Sequence, residues 1–234
     1  MRIGILKADS VLPNLAPRFG EYTDMFPALL READPSLSFA FFDVEKGEYP
    51  GTVDACDAYL ITGSRHSTYD PLPWIPPLED FVRRLDSERR KLIGVCFGHQ
   101  LVARALGGRT GPATHGWTTG VQTARIEHPF PWAEEPSGEI RLIHCHKDQV
   151  LELPTEAEHV GGNELCPHAF FRIGNHVMTV QAHPEFLPEY ARALYETRRE
   201  TFGEETYQRA VESLEIGTDR PSFARSMASF LSTP

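Results

Sequence analysis

Residues Lys91 to Leu106 read K-L-I-G-V-C-F-G-H-Q-L-V-A-R-A-L, and within that run an apolar strand gives way to an amphipathic helix with almost no loop between them. Lys91 to Val95 is the strand, Cys96 follows, and Gly98 stands two residues later. A residue at so sharp a turn is forced into a strained conformation, its side chain projecting above the sheet edge beside a helix N-terminus. Gly94 and Gly98 leave space for the tight backbone, and the positive end of the helix lowers the cost of a thiolate. The pattern G-x-C-x-G is the thiol counterpart of the serine nucleophile elbow, which makes Cys96 a candidate nucleophile.

Outward from this elbow, further short apolar runs lie at Arg2 to Lys7, Leu37 to Asp43 and Ala58 to Thr62. They are continuous rather than alternating, which predicts strands covered on both faces, as in a parallel sheet. Between them, Tyr22, Met25, Phe26, Leu29 and Leu30 form one helical stripe, and Leu78, Phe81, Val82 and Leu85 another. Strand and helix alternating over the first 110 residues predict a right-handed βαβ arrangement with ligands at the carboxyl ends of the strands. From Val121 to Ala182 the chain is strand-rich (VQTARIE, IRLIHC, AFFRIG, HVMTVQA), which predicts antiparallel additions at one side. After Pro188 it turns helical, with Tyr190, Ala193, Leu194 and Thr197 on one stripe and Phe223, Met227, Phe230 and Leu231 on another. The expected fold is α/β: a mostly parallel central sheet, helices on both faces and an antiparallel extension. With no repeat and no linker, residues 1–234 are expected to form one domain.

The formal charge is −10, from 23 Lys+Arg against 33 Asp+Glu. The Arg pairs at 83–84, 89–90 and 198–199 are interrupted by acids, so nucleic acid is not an expected partner. No apolar run reaches membrane-span length and the start lacks a secretory h-region, so the expectation is a cytoplasmic protein with no membrane partner. Cys56, Cys96, Cys145 and Cys166 are sparse, contain no C-x-x-C and are read as reduced thiols. His144 and His146 alternate on one strand face, yet no further ligand at metal spacing accompanies them, so no metal and no cofactor are expected. His66, His115, His128, His159, His168 and His176 read as surface or turn residues, and Trp74, Trp117 and Trp132 as packing residues.

A thiol nucleophile needs a base. His183 follows the strand HVMTVQA in Q-A-H-P-E, where Pro184 fixes the backbone and Glu185 lies two residues on. That spacing lets Glu185 hold one ring nitrogen while the other faces the thiol, giving a Cys-His-Glu triad.

Together, G-V-C-F-G-H-Q at Gly94 to Gln100 and Q-A-H-P-E at Gln181 to Glu185 resemble the signatures of the triad-type, class I glutamine amidotransferases. I-T-G-S-R-H-S-T-Y-D at Ile61 to Asp70 is similar to that family's oxyanion loop. H-C-H-K-D-Q-V at His144 to Val150 resembles the S-H-x-D-x-V segment of the amidotransferase domain of guanosine monophosphate synthetases. The resemblance implies a flavodoxin-like fold and assigns roles. Cys96 attacks the amide carbonyl, and the amides of Ser64 and Phe97 hold the oxyanion. His183 is acid and base in turn, and Glu185 orients it. Gly63, Gln100 and the backbone around Cys145, His146 and Lys147 face the amino-acid end of the substrate. Ser64-Arg65 stands where many relatives have Gly-Pro, and Cys145 where serine is frequent; Arg65 and His66 place side chains at the pocket mouth.

The implied activity is hydrolysis of a γ-glutamyl amide, glutamine at its simplest, through a Cys96 thioester. No nucleotide fingerprint and no Gly-rich phosphate loop accompany it. Either a separate synthase subunit receives the ammonia, or the protein acts alone as a γ-glutamyl hydrolase or peptidase, as some stand-alone relatives do. A catalytically silent binding module is the contrasting possibility, against which all three triad positions are filled. A flavodoxin-like fold using the thiol for redox or aldehyde chemistry is another, and it gives Glu185 no role.

Overall fold

The apolar runs become the strands of one large sheet. The computed structural model describes residues 1–128, 130–132 and 138–233. Strands β1 (Arg2–Lys7), β2 (Ser38–Asp43), β3 (Ala58–Ile61) and β4 (Lys91–Val95) are interleaved with helices α1 (Ala16–Phe19) and α2 (Tyr22–Ala33) after β1, α3 (Ile75–Ser87) after β3 and α4 (Phe97–Ala105) after β4. The expected alternation lapses between β2 and β3, which only short 3-10 turns at Val44–Lys46 and Val53–Ala55 join. Then come β5 (Arg109–Pro112), β6 (Thr118–Ile126), β7 (Glu139–His146), β8 (Asp148–Glu152), β9 (Glu158–Gly162), β10 (Phe170–Ile173) and β11 (Val177–Val180). Helices α5 (Pro188–Thr197), α6 (Arg199–Phe202), α7 (Glu204–Ser213) and α8 (Arg220–Ser232) end the chain.

The nine-stranded sheet runs β2-β1-β3-β4-β11-β10-β9-β6-β7, parallel from β2 to β11 and antiparallel beyond, while β5 and β8 pair separately. The mostly parallel sheet with an antiparallel extension is therefore present, with one refinement. HVMTVQA, grouped by sequence with the antiparallel additions, supplies β11, which lies parallel to β4. Its company in the sequence hid its partner in space.

Helices cover both faces. Leu78, Phe81, Val82 and Leu85 of α3 pack with Leu101 and Val102 of α4 on one side, and the stripes of α2, α5 and α8 pack on the other. Each such buried side chain contributes about 1.5–3 kcal/mol relative to exposure. Two details differ from the sequence reading. β2 is the sheet edge, with Phe41 49% exposed, because apolar composition cannot distinguish an edge from a centre. In α5 the buried residues beside Tyr190 and Leu194 are Ala191 and Tyr195, and Thr197 is exposed. The stripe is rotated by one position because the Tyr195 hydroxyl reaches inward to donate to the His144 carbonyl at 2.6 Å.

The topology decides what meets at the carboxyl edge. Ile61 pairs with Gly94, and Val95 with Val180. Neighbouring strands lie about 4.8 Å apart, so the segments leaving β3, β4 and β11 emerge side by side. These segments are Gly63-Ser64, Cys96-Phe97 and His183-Pro184-Glu185.

Candidate active site

Cys96 has φ 52° and ψ −101°, and the only other described non-glycine residue at positive φ is Arg89. Such a conformation costs about 1–3 kcal/mol and persists only where the surroundings enforce it. Here they do. The Cys96 amide donates to the Val180 carbonyl at 2.9 Å, its carbonyl accepts from the Gln100 amide at 3.0 Å, and α4 starts at the next residue. A Cβ on Gly94 would lie 2.7 Å from the Gly98 carbonyl oxygen, and one on Gly98 2.5 Å from that of Ile61. Both glycines are therefore needed for the elbow to close. Phe97 is the first residue of α4, so its amide has no acceptor within the helix.

His183 is clamped from three sides. Its amide donates to the Ile143 carbonyl at 2.8 Å, its ring stacks on Phe186 with centroids 4.0 Å apart and planes 8° from parallel, and its Nδ1 lies 2.8 Å from Glu185 Oε1. A carboxylate can only accept, so Nδ1 carries a proton, and Nε2 is the nitrogen left to exchange one with the thiol and the substrate. His183 is 5% and Glu185 2% exposed. Burial works against an imidazolium at His183, but the charges of Cys96 and Glu185 and hydrogen bonds with both outweigh it, and the His183 pKa is held well above its ordinary value. The acid expected two residues after the histidine is thus in direct contact with it. Against the same ring stands Gly63, where a Cβ would lie 2.8 Å from His183 Cε1 and 3.6 Å from Cys96 Cβ.

Two adjoining hollows meet at these residues. The main cleft, about 390 Å³ with its open mouth included, is lined by Ser64, Cys96, Phe97, Gln100, Cys145, His146 and Lys147, all singled out in the sequence. Gly63 lies behind it against His183. His183 itself lines the second hollow, about 280 Å³ with its mouth, together with Tyr22, Asp9 and Phe186. Arg65, expected at the pocket mouth, does line both hollows, but its Nε and Nη2 are bound to the Asp9 carboxylate at 2.6–2.9 Å. His66 sits between Glu45 and Asp70, 3.7 Å from each.

Trp117, Phe186 and Arg198 also line these hollows although no motif marked them, and Asp148, the acid of the H-C-H-K-D-Q-V segment, lines the main cleft. Asp148 is 6% exposed; its Oδ2 accepts from Ser67 and from the Tyr69 hydroxyl, and its buried Oδ1 has no partner among the described residues. Arg198 reads as half of an Arg pair beside an acid. Arg199 is the one that turns to acids, at Glu204, whereas Arg198 Nη1 donates to Cys145 Sγ at 3.1 Å. Burial pushes the Cys145 thiol up, against the pull of Arg198, and Cys166 up to about 12. All four cysteines are free thiols.

The histidines at 144 and 146 form a chain. His146 Nδ1 lies 3.0 Å from the Asp148 carbonyl and must donate to it, so His146 Nε2 accepts from His144 Nδ1 at 3.1 Å. Burial lowers both pKa values, that of His146 to about 3. Gln100 Nε2 donates to the same Asp148 carbonyl at 2.8 Å and to Gln181 Oε1 at 3.0 Å, which fixes its amide so that Oε1 is left to accept. Among the described residues no three His, Cys, Asp or Glu side chains are grouped to hold a metal ion, and no helix is long and apolar enough to cross a membrane.

Comparison with known proteins identifies the family. The chain is 32% identical over 180 residues to gamma-glutamyl peptidase 3 of Arabidopsis thaliana, covering 73% of this chain and 71% of that protein. It is 30% identical to a glutamine amidotransferase-like protein of Schizosaccharomyces pombe over 98% of both. A glutamine amidotransferase structure from Thermotoga maritima superposes with a TM-score of 0.76 over 99% of this chain and 96% of that one, at 16% identity, and so supports the fold. Residues 44–197 match the family description glutamine amidotransferase class-I. The chain belongs to the class I glutamine amidotransferase family.

Proposed function

We propose that residues 1–234 act as one domain that hydrolyses a γ-glutamyl amide through a thioester on Cys96. The observation that carries this reading is the strained Cys96 beside a buried histidine, itself bonded at 2.8 Å to a buried carboxylate. Cys96 passes its proton to His183 Nε2 and its Sγ attacks the γ-carbonyl carbon, and the amides of Ser64 and Phe97 take the oxyanion, a donor of that kind being worth about 3 kcal/mol of barrier. The carbon–nitrogen bond breaks as His183 Nε2 gives a proton to the departing amine. Water then loses a proton to the same nitrogen and attacks the thioester carbon, expelling the Cys96 thiolate and releasing the glutamyl carboxylate. Glu185 keeps the ring in the tautomer that both steps need. Gly63 seats that ring. Gln100 Oε1 accepts from the substrate ammonium, and the backbone of Cys145, His146 and Lys147 borders the amino-acid end.

Glutamine is the simplest substrate, its ammonia passing to a docked synthase subunit. The partner-free alternative, a γ-glutamyl hydrolase or peptidase, is supported by the relatives bearing the name gamma-glutamyl peptidase. Free thiols at all four cysteines fit a reducing compartment such as the cytoplasm. Steady-state hydrolysis of glutamine and of γ-glutamyl dipeptides by the purified chain tests the reading. Release of glutamate that disappears in Cys96→Ala is the expected result. A folded protein inert towards every γ-glutamyl compound, and towards electrophilic glutamine analogues, supports the silent module instead.

A further inference from the structure

If Cys96 and His183 cleave a γ-glutamyl amide, as proposed above, the amine departs on the side of His183, the group that must protonate it. That side is the hollow shared by His183, Asp9, Arg65 and Arg198. Its charges do not balance. Asp9 is held by Arg65, whose amide, Nε and Nη2 all donate to it. Arg198 is half-buried and in no ion pair among the described residues: its guanidinium meets a thiol, Cys145 Sγ at 3.1 Å, and the face of Trp117, 5.6 Å from the guanidinium carbon, with the Tyr22 and Tyr190 phenols as its further electrostatic neighbours. A guanidinium carries five N–H donors in a rigid plane matched to a carboxylate, and partial burial without an anion leaves its desolvation uncompensated. The chain as a whole carries a formal charge of −10, so an unanswered cation in this hollow runs against the general field. Departing ammonia has no use for it.

We propose that Arg198 receives a carboxylate carried by the departing amine, so that the substrate is a γ-glutamyl conjugate of an amino acid or peptide with a free carboxyl group rather than glutamine. The neighbouring cations fit the role less well. Arg65 is saturated by Asp9, and Lys147 is exposed and lines the main cleft alone, whereas Arg198 lines both that cleft and the hollow that His183 borders.

The test compares kcat/KM for γ-glutamylglycine and γ-glutamylethylamide, which differ in the departing carboxylate, in the wild type, Arg198→Met and Arg198→Lys. The ratio within each protein cancels any loss of folded enzyme. The wild type is expected to favour γ-glutamylglycine by about 30-fold, the range of one charge-assisted hydrogen bond. Arg198→Met is expected to bring the ratio near one, and Arg198→Lys to keep part of it. Equal turnover of both substrates by the wild type overturns the proposal while leaving γ-glutamyl hydrolysis intact. So does an equal fall for both in Arg198→Met, which places Arg198 at the glutamyl end, or a ratio that survives there and collapses in Lys147→Ala. No turnover of either substrate by folded wild type overturns this proposal, and if the same protein also leaves glutamine intact the hydrolase reading falls with it.

Discussion

Replacing Gly63 by alanine tests the seating of His183 with one methyl group. The new Cβ lies 2.8 Å from His183 Cε1, and ordinary contact starts at 3.4 Å, so the ring must withdraw by about 0.6 Å (3.4 less 2.8). It has little freedom to do so, being stacked on Phe186, bonded to Glu185 and tied through its amide to Ile143. Gly63 itself has no positive φ, so the substitution adds a clash without backbone strain. Overpacking of this kind costs about 1–3 kcal/mol, or roughly 2–12 °C in Tm for a chain of this size. A displacement approaching 1 Å at a proton-transfer group lowers turnover up to about 100-fold. The expected result is therefore a kcat/KM reduced about 10- to 100-fold on a γ-glutamyl anilide, with a thermal transition that remains cooperative. Gly63→Ala turning over at the wild-type rate would refute the placement of that ring against Gly63.

Glu185→Gln keeps a partner at Nδ1 but removes the charge that favours imidazolium, so kcat is expected to fall at least about 10-fold, and unchanged turnover contradicts the positioning role. In the pH profile of kcat/KM, the limb assigned to His183 should move to lower pH in this variant, because one of the charges raising its pKa is gone. Acid should destabilise the fold through the histidines buried neutral. His99 and His146 have pKa values lowered to about 3, and that of His144 is lowered well below 6.5. The unfolded chain binds protons below about pH 6.5 that these groups refuse, so each subtracts at most roughly 1.4 kcal/mol per pH unit on going from 6.5 towards 3. His183 has the opposite sign: its contribution is complete below 6.5 and is lost as pH rises through its raised value. Urea midpoints that stay level between pH 7 and 5 would contradict the acid prediction.

Much of the site was legible because its chemistry is carried by short contiguous segments. The Cys96 elbow is local: a strand, two glycines and a helix whose clashes involve Gly94, Gly98 and Ile61. The His183–Glu185 contact is local too, spanning two residues. Their meeting is not, and it depends on β11 lying beside β4, a pairing that strand composition cannot specify. The residues that escaped notice are those whose role comes from burial alone. Arg198 and Arg199 are adjacent in sequence, yet one enters the cleft while the other pairs with Glu204. Arg65 shows the converse, a cation conspicuous in the sequence and neutralised by Asp9, 56 positions away.

The claim on which the account rests is that the sulfur at position 96, and not the buried thiol at 145 in the same cleft, forms the covalent intermediate. Labelling with an electrophilic glutamine analogue, followed by peptide mass analysis, measures this directly. One adduct on the peptide containing Cys96, with loss of turnover in proportion to labelling, is the predicted result. An adduct on Cys145, or none under conditions that label another amidotransferase, would contradict it.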